Sequence, residues 1–167
     1  MAKVTNFDEL CLENLKDIYD AEHQIIEALP KMAEAATAPR LKDAFNTHLK
    51  QTEVHIERLD RVFGMLGEPP QRKTCLAAKG LIAEGRENIK EIEPGPLLDA
   101  ALIESAQKVE HYEIASYGTV RTFATQSGKA EIAVLLGETL QEEGDTDKAL
   151  TTIAEVIVNP KAVQVDS

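Results

Sequence analysis

Two short phrases of sequence decide the fold: residues 22–26, Glu-His-Gln-Ile-Ile, and residues 110–114, Glu-His-Tyr-Glu-Ile. Each begins with a glutamate in the middle of an apolar stripe that has helical spacing. A carboxylate that points into a helical core is costly unless it is neutralised, paired or bound to a metal. The two phrases therefore indicate a helical bundle that holds cations at its centre.

Helical periodicity dominates the rest of the chain, and no segment alternates as a strand would. The pattern predicts four long helices, over about residues 6–36, 41–67, 97–127 and 130–158, and a short one over about residues 75–89. Pro30 lies inside the first pattern and is expected to kink that helix rather than end it. The pair Asn159-Pro160 is expected to end the fourth helix, and the last residues are expected to be frayed.

The order of these helices predicts the architecture. Short loops make the first two and the last two long helices antiparallel hairpins, and a long connection over residues 68–96 joins the hairpins. A four-helix bundle with one long crossover is the ferritin-like arrangement. The predicted fold is therefore all-α, a ferritin-like four-helix bundle whose long crossover carries a short extra helix. Residues 1–167 are expected to form a single domain, with its core over about residues 6–158.

Composition excludes several classes of function. The formal net charge is −11, from 18 basic and 29 acidic residues. This charge argues against binding to nucleic acid or to anionic membrane surfaces. No stretch is long and apolar enough to span a membrane, and the first residues lack the apolar core of a secretion signal. Cys11 and Cys75 do not suggest a disulfide framework. We therefore expect a cytoplasmic protein.

Polar residues interrupt all four long stripes near the middle of each helix. They are Glu22, His48, Gln51, Thr52, His55, Glu110, Glu113, Glu143 and Asp147. Glu110 and Glu113, and likewise Glu143 and Asp147, have the spacing that puts both carboxylates of a pair on one helix face. So many buried carboxylates require counter-charge. Carboxylates with one or two imidazoles suit iron or manganese, so we predict a core site for two such ions.

The polar residues around this cluster have more than one interpretation. His55 is expected either to bind metal or to support a ligand, whereas His48, nearly two turns away, is expected to be structural or supporting. Tyr19 and Tyr117 each lie one turn from a cluster glutamate and either donate a hydrogen bond to it or simply pack in the core. Glu142 falls off the stripe and is expected to be solvated. The usual di-iron Glu-x-x-His pair is missing, because no residue at positions 51–52 is acidic.

The chain resembles the YciE/YciF family of bacterial stress-associated proteins over about residues 5–158. The motifs that carry the resemblance are Lys108-Val-Glu110-His-Tyr-Glu113-Ile-Ala-Ser-Tyr-Gly118, Tyr19-Asp-Ala-Glu22-His-Gln24, Glu142-Glu143-Gly-Asp-Thr-Asp147 and Asp99-Ala-Ala-Leu-Ile. The resemblance implies a ferritin-like homodimer that is implicated in stress responses and carries a dinuclear metal site. The implied ligands are Glu22, Glu110, Glu113, Glu143 and Asp147.

The sequence departs from the family pattern on the second helix. The family usually has Glu where this chain has Gln51, which can coordinate only through a neutral amide oxygen. His55 stands where the family commonly has Gln, and it is expected to compensate. The departure predicts either weaker metal binding or a site that holds one ion.

Three functions remain open from the sequence. The first is a metal-binding stress protein with a dinuclear iron or manganese centre, with oxygen or peroxide activation as its chemistry if it is an enzyme. The second is a structural or interaction bundle with a vestigial metal site. The third, iron storage in a cage, is disfavoured because the chain lacks a clear fifth C-terminal helix of the ferritin kind. The sequence decides neither whether the protein is an enzyme nor what its substrate is.

Overall fold

The computed structural model describes residues 3–165, and the regular structure of this part of the chain is helical throughout. The elements are α1 (Phe7–Ala35), α2 (Pro39–Leu66), α3 (Leu76–Glu91), α4 (Pro96–Gln126), α5 (Ala130–Ile153), a π-helical segment (Ala154–Val158) and α6 (Asn159–Ala162). The four long helices and the crossover helix confirm the predicted all-α class. Within residues 3–165, no helix has the length and apolarity needed to cross a membrane.

The long helices pack as a ring of four. α1 contacts α2 and α4, and α5 contacts the same two helices from the opposite side. The crossover helix α3 lies outside the ring, against α4 and α1. The loops over residues 36–38 and 127–129 are so short that each hairpin must be antiparallel, as the sequence predicted.

Local signals fix most helix ends within a residue or two of the prediction. The side chain of Asn6 caps α1 by accepting a hydrogen bond from the Glu9 amide at 2.9 Å. Pro30 lies inside α1, which continues to Ala35. Gly67 ends α2 with a left-handed φ of 73°, a conformation that a side chain would disfavour. The second helix was predicted from about residue 41, and it begins instead at Pro39, whose missing N–H is harmless at the first helical position.

The C-terminal end differs from the prediction. The helix does not stop at Asn159-Pro160: α5 widens into the π-helical segment and continues as α6. The Asn159 amide donates to the carbonyl of Ala154, five residues earlier. A proline ring has no N–H and clashes with the carbonyl four residues before it. One widened turn before Pro160 relieves this clash, so the chain stays helical to Ala162, beyond the predicted end. Fraying was predicted for the last residues, of which 166 and 167 lie outside the described residues.

A buried aspartate of α4 fastens the first hairpin. Asp99 is 2% exposed and accepts hydrogen bonds from the Thr37 amide at 2.7 Å, the Thr37 hydroxyl at 2.6 Å and the Ala38 amide at 2.9 Å. Ala38 precedes α2 and has no side chain that could cap it. Asp99 therefore supplies from another helix the acceptor that the start of α2 needs.

A second buried aspartate holds the crossover. Asp20 on α1 accepts hydrogen bonds from the Cys75 amide and the Arg72 Nε, both at 2.8 Å, and from Gln24 at 2.6 Å. Burial alone would raise the pKa of Asp20, but these donors outweigh it and hold the pKa below its usual value. The start of α3 is thereby fixed against the middle of the bundle.

The bundle interior consists of two apolar clusters with a polar layer between them. One cluster surrounds Phe45, Leu102 and Leu150, and the other surrounds Leu15, Phe63 and Leu136. The polar layer is made by the buried residues Glu22, His48, Thr52, His55, Glu110, Glu113, Thr139 and Glu143. The fold thus places ionisable groups in a layer of the bundle from which the apolar clusters above and below exclude water.

Candidate metal centre

Six side chains from the four long helices form two groups whose ligand-type atoms lie within 4.8 Å of one another. The first group is His48, Glu110, Glu113 and Glu143. The second group is Glu22, His55 and Glu143. Glu143 belongs to both, so its two oxygens lie between two neighbouring positions that each have an imidazole and at least two carboxylates. We call these six residues the carboxylate–imidazole centre.

Helical spacing places these residues in one layer. His48 and His55 are seven residues apart on α2, so they share a face two turns apart, and their ring centroids are separated by 6.3 Å. Glu110 and Glu113 are neighbours on one face of α4. All six side chains belong to residues that are at most 3% exposed. Water therefore cannot solvate their charges.

The distances within each group are those of close polar contact. His48 Nε2 lies 3.2 Å from Glu110 Oε1 and 3.9 Å from Glu143 Oε2. His55 Nδ1 lies 3.0 Å from Glu143 Oε1 and 3.6 Å from Glu22 Oε1. The Glu143 carboxylate is therefore within 4 Å of both imidazoles.

These short distances do not provide every polar atom of the six residues with a hydrogen-bond partner. Among residues 3–165, nine buried side-chain nitrogen and oxygen atoms have no hydrogen-bond partner, and all nine belong to the carboxylate–imidazole centre. They include both nitrogens of His48 and both oxygens of Glu113 and of Glu143. Buried polar atoms are normally paired, and a concentration of unpaired ones requires an explanation. A carboxylate and imidazole donor set with its lone pairs free fits bound cations of the iron or manganese kind.

The protonation behaviour of the centre reflects its crowding. Burial raises the pKa of Glu110 and of Glu113 well above the usual range, and the charge of Glu143 raises both further. Burial would lower the pKa of His55, but Glu143 and Glu22 outweigh it and raise the pKa to about 10. For His48 burial dominates and lowers the pKa, although Glu143 opposes it. Protons therefore supply part of the positive charge that the carboxylates require without a metal.

Three further residues orient the centre. The Tyr117 hydroxyl donates a hydrogen bond to Glu22 Oε1. His55 Nε2 lies 2.9 Å from Glu142 Oε2, and Arg58 holds the same carboxylate through Nη1 at 2.9 Å. When the His55 ring is neutral and its outer nitrogen donates to this carboxylate, its other nitrogen carries a lone pair, as in most metal-binding histidines. Nδ1 of His55 is the nitrogen that faces Glu22 and Glu143.

The structure brings together five of the seven predicted site residues, namely Glu22, His55, Glu110, Glu113 and Glu143. Gln51 is half-buried, and its side chain reaches His48 of the first group, where this contact opposes the burial that lowers the pKa of the imidazole. Asp147 belongs to neither group. Asp147 Oδ1 accepts a hydrogen bond from Gln107 Nε2 at 3.0 Å and lies 3.3 Å from His111 Nε2, at the partly exposed edge between α4 and α5. The roles of all seven as metal ligands remain predictions.

Sequence reasoning underrated two residues. His48 was expected to be structural or supporting because it lies nearly two turns from His55, yet it lies in the centre. The two histidines serve different groups, which share only Glu143. Glu142 was expected to be solvated, yet it contacts His55 and Arg58. The stripe position shared with His55 could have indicated His48, whereas no local signal marks Glu142.

Comparison with known proteins identifies the family. Residues 6–163 match the family described as "Domain of unknown function (DUF892)". The chain belongs to this family. It is also 46% identical to Protein YciF of Escherichia coli (strain K12) over 156 residues, which are 93% of this chain and 94% of that protein. These matches confirm the predicted resemblance to the YciF proteins.

Solved structures with similar folds confirm the architecture of this DUF892 chain. The E. coli stress protein YciF matches with a TM-score of 0.90 and 45% identity, covering 95% of this chain and 100% of that one. YcfI from Rhodopseudomonas palustris matches with a TM-score of 0.89 and 44% identity, covering 91% and 97%. A Bacillus anthracis structure described as ferritin like, diiron-carboxylate proteins matches with a TM-score of 0.69 and 17% identity, covering 90% and 99%. The fold is therefore ferritin-like.

Proposed function

We propose that this protein binds two iron or manganese ions in the carboxylate–imidazole centre. One ion would be held by His48, Glu110, Glu113 and Glu143, and the other by Glu22, His55 and Glu143. The observation that supports this most strongly is the concentration of nine unpaired buried atoms in these six residues. Bound cations would give those atoms partners and neutralise the carboxylates, which neither packing nor protons achieve for all of them.

The chain itself would position and protect such a site. Glu143 would be shared between the ions, Tyr117 would fix the Glu22 carboxylate, and Glu142 would orient His55. The apolar clusters on both sides of the polar layer would exclude water. When bound, iron or manganese would supply redox and Lewis-acid chemistry towards oxygen or peroxide. Iron and manganese prefer the same ligands, so the donor set leaves the choice between them open.

Elemental analysis tests the proposal. Untagged protein is treated with chelator, loaded anaerobically with Fe²⁺ or Mn²⁺ and freed of excess metal. We expect about two ions per chain for the wild type. Glu143→Gln should lose most of this metal because it removes the shared carboxylate. Glu131→Gln, an exposed position on the same helix, is the matched control and should keep it.

Two results would change the proposal. About one ion per chain would restrict it to one of the two groups. No bound metal in folded wild-type protein would refute it and favour a structural bundle with a vestigial site. If Glu143→Gln fails to fold, Glu113→Gln serves as a second variant, because its carboxylate belongs to one group only and should reduce rather than abolish the metal content.

The family relationship also suggests a cellular role and an oligomeric state for the protein. We place it among cytoplasmic stress-response proteins, since the E. coli relative is described as a stress protein and both cysteines are buried free thiols. We also propose a homodimer. Met65 on α2 and Val134 on α5 are 44% and 63% exposed and line one surface groove, which makes this a candidate interface. Light scattering would test the dimer, and Val134→Lys should weaken it if this face is used.

A further inference from the structure

An apolar cavity lies beneath the crossover helix and reaches the carboxylate–imidazole centre. Its walls come from α1, α3 and α4, and its inner end is formed by His48 and Glu110. The apolar side chains that line it include Ile25, Leu29, Met32, Ile82, Ile89 and Val109. Lys31 and Arg86, both exposed, are the charged residues along its outer part. The cavity therefore joins the surface beside α3 to one side of the centre.

Small residues create this space. The small residues that line the cavity are Ala28 on α1, Gly85 on α3, and Ser105 and Ala106 on α4. A Cβ added at Gly85 would lie 3.4 Å from Ser105 Cβ, at van der Waals contact, so α3 and α4 are close together here. The Ser105 hydroxyl accepts a hydrogen bond from Asn88 at 3.1 Å, which leaves its O–H group as a donor. Between the charged outer part and the inner end, a polar guest therefore finds at most one side-chain partner.

The volume selects the size of the guest. The cavity has a volume of about 40 Å³, counted as the space that the centre of a water-sized sphere can occupy. One water needs roughly 10–15 Å³ by this measure, so the space holds about three water-sized molecules. A fatty chain or a nucleotide does not fit, whereas a diatomic molecule does.

The chemistry of the walls selects the kind of guest. A buried water or peroxide needs two to four hydrogen-bond partners, which these walls do not provide. A small apolar molecule needs none, and apolar cavities of proteins bind such guests. At the inner end, buried Glu110 Oε2 and His48 Nδ1 have no hydrogen-bond partner.

We propose that this cavity is a binding site for small apolar molecules of the size of dioxygen and that it leads them to the His48–Glu110 side of the centre. The binding part stands on the cavity alone. The delivery part rests on the proposed metal function. On this assignment the reactant that enters through α1, α3 and α4 is dioxygen.

Xenon tests the binding part without any metal. Xenon is a small apolar guest that is readily located in crystals under pressure or by NMR in solution. In metal-free wild type we expect one xenon atom between Ile82 and Ala106, with changed chemical shifts at His48. Ala106→Leu fills the cavity from α4 and should abolish this signal. Ala133→Leu makes the same change at a similarly buried position in the other apolar cluster and should leave it intact.

Each outcome decides the binding part. Absence of xenon from the wild-type cavity, or equal xenon binding in Ala106→Leu, would overturn it. If Ala106→Leu does not fold, Ala28→Leu fills the same space from α1 and takes its place.

The delivery part is tested after anaerobic Fe²⁺ loading, by the absorbance change that follows mixing with dioxygenated buffer. We expect Ala106→Leu to load as much iron as the wild type but to react several-fold more slowly, with Ala133→Leu unchanged. Equal rates in all three proteins would overturn delivery through this cavity. A wild type that loads no iron would refute the proposed function instead, and the xenon result would stand independently.

Discussion

The Tyr117 hydroxyl donates a hydrogen bond to Glu22 Oε1, and both residues are completely buried. The bond joins α4 to α1 across the bundle, where the apolar cluster around Phe63 meets the polar layer. Burial and the charge of Glu22 raise the pKa of Tyr117 well above its usual value, so the phenol remains a donor at physiological pH. Tyr117 was predicted either to donate to a cluster glutamate or to pack in the core, and it does both.

Tyr117→Phe should destabilise the metal-free protein. The substitution keeps the ring but leaves a buried carboxylate oxygen without its donor, which costs about 1–3 kcal/mol. Urea denaturation in the presence of chelator measures the change in the free energy of unfolding. Tyr19→Phe is the matched control, because the Tyr19 hydroxyl donates to the exposed Asp60 at 2.8 Å, and its loss should cost under about 1 kcal/mol. Equal losses in the two variants would contradict the special role of Tyr117.

Asp99→Asn should destabilise the fold without affecting metal content. The substitution removes the charge and one of the two carboxylate oxygens that cap the start of α2, and hydrogen bonds to a charged group contribute about 1.5–3 kcal/mol. Asp99 belongs to neither group of the carboxylate–imidazole centre. The amount of metal bound per folded chain should therefore remain at the wild-type value. Asp43→Asn, at an exposed position on α2, is the control for both measurements. A loss of metal in Asp99→Asn at low temperature, where the protein is folded, would refute this separation of roles.

The contrast between these residues shows what could be predicted from the sequence. Helix positions follow from apolar spacing and from local signals such as Asn6 and Gly67, so they were predictable. Glu22 and Glu143 stood out because a carboxylate on an apolar stripe is anomalous whatever it faces. The role of Asp99 was not predictable, because its partners lie 61 and 62 residues away in sequence.

The histidines and the C-terminal helix show the same limit. Which group His48 joins depends on the relative positions of α2, α4 and α5 along the bundle axis, and no local pattern encodes that offset. Glu142 contacts His55 only because α5 packs against α2. Pro160 was a correct signal of a disturbed helix, but the sequence did not show that a π-helical segment absorbs the disturbance instead of ending the helix.

Glu110→Gln distinguishes a metal centre from a vestigial one. Glu110 is 2% exposed, and burial and the charge of Glu143 raise its pKa, so a neutral amide avoids the cost of a buried charge and should leave the metal-free protein at least as stable as the wild type. Metal at 100 times its dissociation constant should stabilise the wild type by about 2.7 kcal/mol, and the variant by clearly less. Thermal denaturation with and without Mn²⁺ measures both effects.

The control for this comparison is Glu104→Gln on the same helix, where the carboxylate is exposed and pairs with Lys108. Its stability with and without Mn²⁺ should follow the wild type closely. If Mn²⁺ stabilises Glu110→Gln as much as the wild type, Glu110 is not a ligand. If it stabilises neither, the centre is structural.

Glu142→Gln should weaken metal binding although no proposed ligand is altered. The Glu142 carboxylate accepts from His55 Nε2 and thereby directs Nδ1 of the ring towards Glu22 and Glu143. Loss of such a partner usually lowers metal affinity about 10–100-fold. Glu138→Gln is the matched control, because Glu138 also pairs with Arg58, at 3.3 Å, but does not contact His55. Competition against a coloured chelator gives both affinities. A similar decrease in the two variants would assign the effect to Arg58 and refute the orienting role of Glu142.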